Sequence, residues 1–312
     1  MITTQESLKP VTVKEALDYW IREYATHKRA NVQKHIDQLN KHIYPYIGDY
    51  PLSMCETRHW LECFSRVRAD APVAAGYLLQ MCKQALKFCR VHRYATSNAL
   101  NDLTTDDVGK KQEKRDREHS RQELSDIWRE STGLKFKPYY AALLHLLVAF
   151  GCRTQELRLS RPSEWDLKDW IWTVPKEHSK GGNKILRPIP DAMRLFVKDL
   201  IEQNRDTGLL LGCIKKPEAV SQWGRGIYKR LDHSEPWTLH DLRRTFSTTL
   251  NNMGIAPHVV EQLLGHTLGG VMAVYNRSQY LPEKLDALNK WMERLEVISA
   301  EHPNVTILKV AK

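Results

Sequence analysis

Four short segments in the second half of the chain carry cations, histidines and one tyrosine in an order that suits chemistry on a phosphate. They are "GCRTQEL" with Arg153, "SKGGNK" with Lys180, "TLHDLRRTF" with His240 and Arg243, and "LGHTLGGVMAVYNRSQY" with His266 and Tyr275. Each is ordinary alone. An arginine near a helix end is usually a surface ion pair, a hairpin lysine is usually solvated, and a helical histidine is usually structural. Together they match attack on a phosphodiester. Two guanidiniums can clamp the non-bridging oxygens and offset charge in a pentacoordinate transition state. A tyrosine hydroxyl, with an ordinary pKa of about 10, needs a base or a strongly cationic site to act at neutral pH. The departing 5′ oxygen needs a proton, and a lysine on a loop can give one. No carboxylate cluster for Mg²⁺ stands out, and arginines can do the work of a divalent ion.

The rest of the chain must position these groups and bring them a substrate. Its 312 residues are comfortable for two domains, and a hydrophobic share of 42% is enough for real cores. A net charge of +10 and a pI near 9.2 call for a polyanionic partner, usually nucleic acid. The six cysteines, at 55, 63, 82, 89, 152 and 213, form no CxxC pair and no zinc-spaced cluster. Several lie in apolar helical patterns and read as buried free thiols of a reducing cytosol. The longest apolar run, "AALLHLLVAFGC", is too short to span a bilayer, and no signal peptide opens the chain.

Periodicity places the elements. "TVKEALDYWIREYATHKR" begins with a capping box, Thr12 to Glu15, and runs at helical period. Further helices fit "NVQKHIDQLNKHI", "TRHWLECFSRVR" and "APVAAGYLLQMCKQALKFCRVHR", with "YPYIGDYPLSM" as a turn. The charge-dense stretch 104–119 reads as a linker. A second capping box, Ser120 to Glu123, opens helices at about 121–131 and 137–150. "WIWTV" and "KILRPI" are β-type runs about a Gly-Gly turn, a hairpin with Lys180 at its tip. Helices resume after Pro190. The last, "LPEKLDALNKWMERLEVI", has Leu285, Leu288, Met292, Leu295 and Ile298 on one stripe with Trp291 beside it. That stripe can pack on its own domain or dock on a neighbouring protomer. The basic helices at 28–42 and 83–93 are candidates for contact with DNA grooves.

The order Arg, Lys, His-x-x-Arg, His, Tyr resembles the tyrosine recombinase (phage integrase) family. "HDLRRTF", "LLGHT" and "VYNRSQY" look like the P4-type prophage and genomic-island integrases within it. The resemblance is strong over the second domain and looser over the first. It implies a mainly α fold. Residues 1–103 would form a helical core-binding (SAM-like) domain and 104–119 a linker. Residues 120–312 would form a mixed α+β catalytic domain with a small antiparallel three-stranded sheet and a C-terminal tail helix. The implied function is site-specific DNA recombination through a 3′-phosphotyrosine intermediate, for integration or excision of a mobile element. Conserving the bond energy in phosphotyrosine removes the need for ATP, and no GxxxxGK[ST] is present. No metal or other cofactor is implied.

Residue by residue, the resemblance implies that Arg153 and Arg243 bind the scissile phosphate and that Lys180 is the general acid. Lys184 competes for that role; Lys180 is preferred because it directly follows the first strand, as in the family's K-G-x-K hairpin. His240 would assist proton transfer at the nucleophile, His266 would hydrogen-bond the phosphate, and Tyr275 would form the phosphotyrosyl bond. Glu156 would orient its own segment. Arg244 stands where many relatives have His, and is expected as a second phosphate contact or a packing residue. The Gly269–Gly270 pair is expected as a hinge for the nucleophile. Implied partners are double-stranded attachment-site DNA, a homotetramer in the synapse, and accessory DNA-bending or directionality proteins. The implied setting is the bacterial cytoplasm, at the nucleoid. Many relatives carry a further N-terminal domain, whereas here helix one follows "MITTQESLKP" almost at once, as in a short form or a truncated chain. Three alternatives stay open: a type IB topoisomerase-like relaxing enzyme, a non-catalytic DNA-binding regulator on the same scaffold, and a metal-dependent nuclease.

Overall fold

Thr12 and Glu15 form the expected capping box, with reciprocal bonds of 3.2 and 2.8 Å. It starts α1 (Val13–Trp20), which runs on through a π-helical turn, Ile21–Ala25. A computed structural model describes residues 10–29, 31–113, 116–133, 135–266 and 278–300. The chain divides into two compact units between Arg115 and Asp116. In the first unit α1 is followed by α2 (Val32–His42), α3 (Thr57–Asp70) and α4 (Pro72–Val91). The expected turn "YPYIGDYPLSM" holds two short helical turns instead, Tyr44–Ile47 and Leu52–Met54. A proline at the start of the first pre-sets the helical φ. Trp20, Trp60, Phe64 and Leu79 are the centre of this unit's core. Burial pushes the thiols of Cys55, Cys63 and Cys89 up to about 11, so they act as small hydrophobes.

The stretch 104–119 is packed at both ends. Thr104 and Asp107 make a capping box (2.6 Å) that starts α5 (Thr105–Val108). At Gly109 a Cβ would meet the Pro72 carbonyl at 2.0 Å. In the second unit His119 is buried, with its backbone N–H and its ring on Thr245 Oγ1 (2.9 and 2.8 Å). These contacts use caps and backbone rather than an apolar stripe, so hydrophobic periodicity does not reveal them.

The second unit opens with the Ser120–Glu123 box and α6 (Arg121–Thr132). α7 (Pro138–Phe150) is apolar on nearly every side and buried from Ala142 to Phe150. After α8 (Thr154–Arg158) comes an antiparallel sheet in the order β1 (Trp165–Asp166), β2 (Ile171–Val174), β3 (Ile185–Pro188). Trp172 lies opposite both Trp165 and Arg187. It stacks on the first at 4.6 Å and takes the second guanidinium over its ring at 4.9 Å. Helices α9 (Asp191–Gln203), α10 (Pro217–Arg225), α11 (Leu239–Asn252), α12 (Pro257–Leu263) and α13 (Leu281–Ser299) follow. Cys152 is buried, but Cys213 is exposed, unlike the other five. Among the described residues no helix is long and apolar enough to cross a membrane.

The stripe on α13 is used within its own unit. Leu288, Trp291, Met292, Leu295 and Ile298 are buried there, and Leu285 is half-buried. Trp291 is central rather than flanking, and its Nε1 donates to the Val148 carbonyl (2.9 Å). Of the two readings open to this stripe, packing on its own unit is the one seen here. Lys284, also buried on α13, donates to the Leu186 carbonyl of β3 (3.0 Å). Burial first, then the Arg187 charge, pushes this lysine down to about 8 from an ordinary 10.5. Between those values the unfolded chain holds a proton that the folded chain lacks, so stability rises with pH. The rise is at most about 3 kcal/mol. Thermal melts between about pH 8 and pH 10 should show it, and Lys284→Met should flatten it. Parallel slopes for the two proteins would refute this account.

Candidate active site

Two glycines with left-handed backbones frame the site. α7 ends at Gly151 (φ 55°), whose N–H closes on the Leu147 carbonyl (3.0 Å). A Cβ there would lie 2.3 Å from the Phe246 ring, so only glycine lets α7 end this close to α11. The next turn delivers Arg153 at the head of α8. α12 ends at Gly265 (φ 68°), where a Cβ would lie 2.2 Å from Ile185 of β3. His266 N–H returns to the Glu261 carbonyl (2.9 Å) and Gly265 N–H to that of Gln262 (3.0 Å). This double closure folds His266 back over Glu261.

Arg243 joins the two helix ends. Its Nη1 donates to the Gly151 carbonyl (3.1 Å) and its Nη2 to the Leu264 carbonyl (2.6 Å). These are carbonyls that a helix leaves unpaired at its C-terminus, where a cation is also favoured by the helix dipole. Arg153 Nη1 reaches the same Leu264 oxygen at 3.4 Å. One backbone oxygen thus draws both predicted phosphate-binding arginines together.

Behind them Glu156 is fully buried between two guanidiniums. Its Oε1 accepts from Arg153 Nη1 (3.3 Å), and its Oε2 lies 2.7 Å from Arg187 Nη2, an ion pair not aligned as a hydrogen bond. Arg187 Nε donates to the Leu263 carbonyl (2.7 Å). Three arginines and one carboxylate therefore share this patch. Burial first, then Arg153 and Arg187, pushes Arg243 down to about 10, which leaves it charged at neutral pH. The excess of positive charge is what an anionic ligand would neutralise.

In front lies a cleft of about 550 Å³ lined by Arg153, Gln155, Lys180, Ser221, Arg225 and His240 among others. Lys180 reaches it from the exposed β2–β3 loop, and Lys184 is not among the lining residues. His240 is exposed at the rim, whereas Arg243, one turn on, is buried. Burial first, then Arg244, Arg243 and Arg153, lowers the His240 imidazole, which favours its neutral, proton-accepting form. Arg244 is half-buried and pairs with Asp241 (3.0 Å), the residue that caps α11 through Thr238.

His266 Nδ1 is 2.5 Å from Glu261 Oε2, and its Nε2 is 2.9 Å from Arg243 Nη2. Because a guanidinium only donates, Nε2 accepts and Nδ1 carries the proton toward Glu261. Tyr275 and the Gly269–Gly270 pair lie outside the described residues. On the far side of that segment, the Ser278 carbonyl accepts from Gln262 of α12 (3.1 Å). Sequence reasoning missed Arg187 and Glu261. A charge in the apolar run "ILRPI" was the available signal for the first. For the second there was none, since five residues is not a helical neighbour spacing and only the Gly265 reversal makes the contact.

Solved structures share this fold. A lambda integrase dimer bound to a COC′ core site matches with TM-score 0.68 and 20% identity, covering 88% of this chain and 79% of that one. A Tn1549 transposon integrase in complex with a circular intermediate DNA matches with TM-score 0.64 and 16% identity, covering 91% of this chain and 99% of that one. Prophage integrase IntZ of Escherichia coli (strain K12) is 25% identical over 91% of this chain and 69% of its own length. Prophage integrase IntA of the same strain is 24% identical over 88% and 67%. The fold is that of these two-domain integrases. Residues 118–281 match the phage integrase family and residues 13–106 its central domain, so the chain belongs to the phage integrase family and is a site-specific tyrosine recombinase of prophage type.

Removing the carboxylate should expose how the arginines are held. Glu156→Ala leaves the buried Arg187 uncompensated and should cost about 3–5 kcal/mol of stability. Chemical denaturation reads this directly, and a loss under about 1 kcal/mol would show that Arg187 finds other partners.

Proposed function

We propose that this chain cuts and rejoins double-stranded DNA at attachment sites, with Tyr275 as nucleophile, to integrate or excise a mobile element. Tyr275 Oη attacks the phosphorus while its proton passes to His240. The P–O5′ bond breaks, and the 5′ oxygen leaves with a proton from Lys180. The 3′-phosphotyrosine is then attacked by another 5′ hydroxyl, which rejoins the strand and releases the tyrosine. Arg153 and Arg243 hold the non-bridging oxygens, and His266, its Nδ1–H held by Glu261, donates from a protonated Nε2 that turns from Arg243 to the phosphate. Arg244, bound to Asp241, supports the α11 cap instead of touching substrate. The observation that carries this reading is the meeting of Arg153 and Arg243 on the Leu264 carbonyl, beside a cleft lined by Lys180 and His240. Both units clamp the duplex electrostatically, and four protomers exchange strands in one synapse, helped by accessory DNA-bending or directionality proteins. The setting is the cytoplasm, at the nucleoid. The lambda and Tn1549 integrase structures hold DNA, and one is a lambda integrase tetramer bound to a Holliday junction, which supports this reading.

Covalent capture tests the nucleophile. The chain is mixed with a pool of nicked duplexes of randomised sequence, so that a cleaved strand cannot rejoin, and is then resolved on a denaturing gel. The wild type should trap an adduct and Tyr275→Phe none; equal behaviour of the two would overturn the reading. A second expectation concerns Arg243. Arg243→Lys keeps the buried charge but not the two-pronged geometry. Cleavage of the captured duplex should fall roughly 10²–10³-fold, with affinity nearly unchanged because many phosphate contacts share it. A parallel collapse of affinity and cleavage would make Arg243 a binding residue first.

A further inference from the structure

Lys180 stands on an exposed loop, where a side chain has little to hold it in place. The residue two positions earlier supplies an anchor. His178 is largely buried, and its Nδ1 lies 2.9 Å from Glu164 Oε1, within ion-pair range though not aligned as a hydrogen bond. Glu164 is built into the fold just before β1. Its Oε2 accepts from Ser160 Oγ (3.1 Å) and Trp172 Nε1 (3.4 Å), and its Oε1 from the Arg161 N–H (3.1 Å). Ser160 Oγ in turn accepts from Trp165 Nε1 (2.9 Å). One buried carboxylate therefore ties together the approach to β1, the stacked indoles of β1 and β2, and the β2–β3 loop. The loop backbone is closed as well. His178 N–H bonds the Pro175 carbonyl (3.1 Å), Ser179 N–H that of Lys176 (3.2 Å), and Gly182 N–H that of Ser179 (3.1 Å). Ser179 is buried, while Lys180 beside it faces the cleft.

We propose that the His178–Glu164 pair is a positioning clamp for Lys180. It pins the loop so that the ammonium group stays on the cleft wall, within reach of the departing 5′ oxygen. The clamp acts through Lys180 and touches no substrate. It rests on the reading of Lys180 as the general acid.

Sulfur substitution separates proton delivery from everything else. The duplex captured above is synthesised with either oxygen or sulfur at the 5′ bridging position of the scissile phosphate. A thiolate leaves without a proton, so the sulfur-linked strand does not need the acid. His178→Ala should slow cleavage of the oxygen-linked strand roughly 10- to 100-fold, the cost of a group misplaced by about 1 Å. It should cleave the sulfur-linked strand within about twofold of the wild type. Glu164→Gln should show the same pattern, and His178→Gln repeats the measurement if the alanine form does not fold. Lys180→Ala should lose roughly 10²–10⁴-fold on oxygen and recover on sulfur. Equal losses on both strands in the His178 variants would make the pair merely structural, and no loss on oxygen would also overturn the clamp. If Lys180→Ala is not rescued by sulfur, the general-acid reading itself fails, and the clamp falls with it.

Discussion

The second unit depends on Arg243 as the partner of two helix ends at once. α7 and α12 are far apart in sequence, and each stops at a glycine with carbonyls left over. A buried guanidinium is one of the few groups that can satisfy both, because its donors diverge in a fixed plane. Stopping α7 and α12 therefore fixes Arg243, and fixing Arg243 sets the spacing of the segments that carry Arg153 and His266. The same group is proposed to grip the phosphate, so fold and chemistry make the same demand on one side chain.

That arrangement gathers more positive than negative charge in a poorly solvated place. Burial and two neighbouring guanidiniums lower Arg243 but leave it protonated at neutral pH. Glu156 offsets part of this charge, and helix-end carbonyls offset more. What remains is a standing preference for an anion, already oriented before any ligand arrives. Preorganised charge of this kind is more useful to a transition state than charge that must first be arranged.

Much of this was legible in the chain. The boxes with Arg153, His240, Arg243 and His266 could be placed because each sits at a helix boundary marked by glycine or a cap. Both capping boxes, at Thr12 and Ser120, formed as read, and the hairpin around Lys180 did too. What was not legible depended on long-range contact. Arg187 of β3 and Glu156 of α8 are 31 positions apart in the sequence, and only the tertiary fold brings them together. Whether the α13 stripe faced its own unit or a neighbour could not be read from an apolar pattern, since the pattern is the same in either case. The contacts at the two ends of 104–119 are polar, so an apolar pattern does not show them.

The site also separates two kinds of task by burial. Groups that must hold a charge in one place, Arg243, Arg187 and Glu156, are enclosed and held by hydrogen bonds and the Arg187–Glu156 ion pair. Groups proposed to move a proton, His240 and Lys180, lie exposed at the cleft, one at the rim and one on a loop. A proton donor buried as deeply as Lys284 is held well below the usual lysine range, so burial works against the charged form that must give the proton. Keeping the donor exposed avoids that, but it leaves the side chain free to wander. The contact between His178 and Glu164 resolves the conflict by fixing the loop from beneath while the ammonium group itself stays in water.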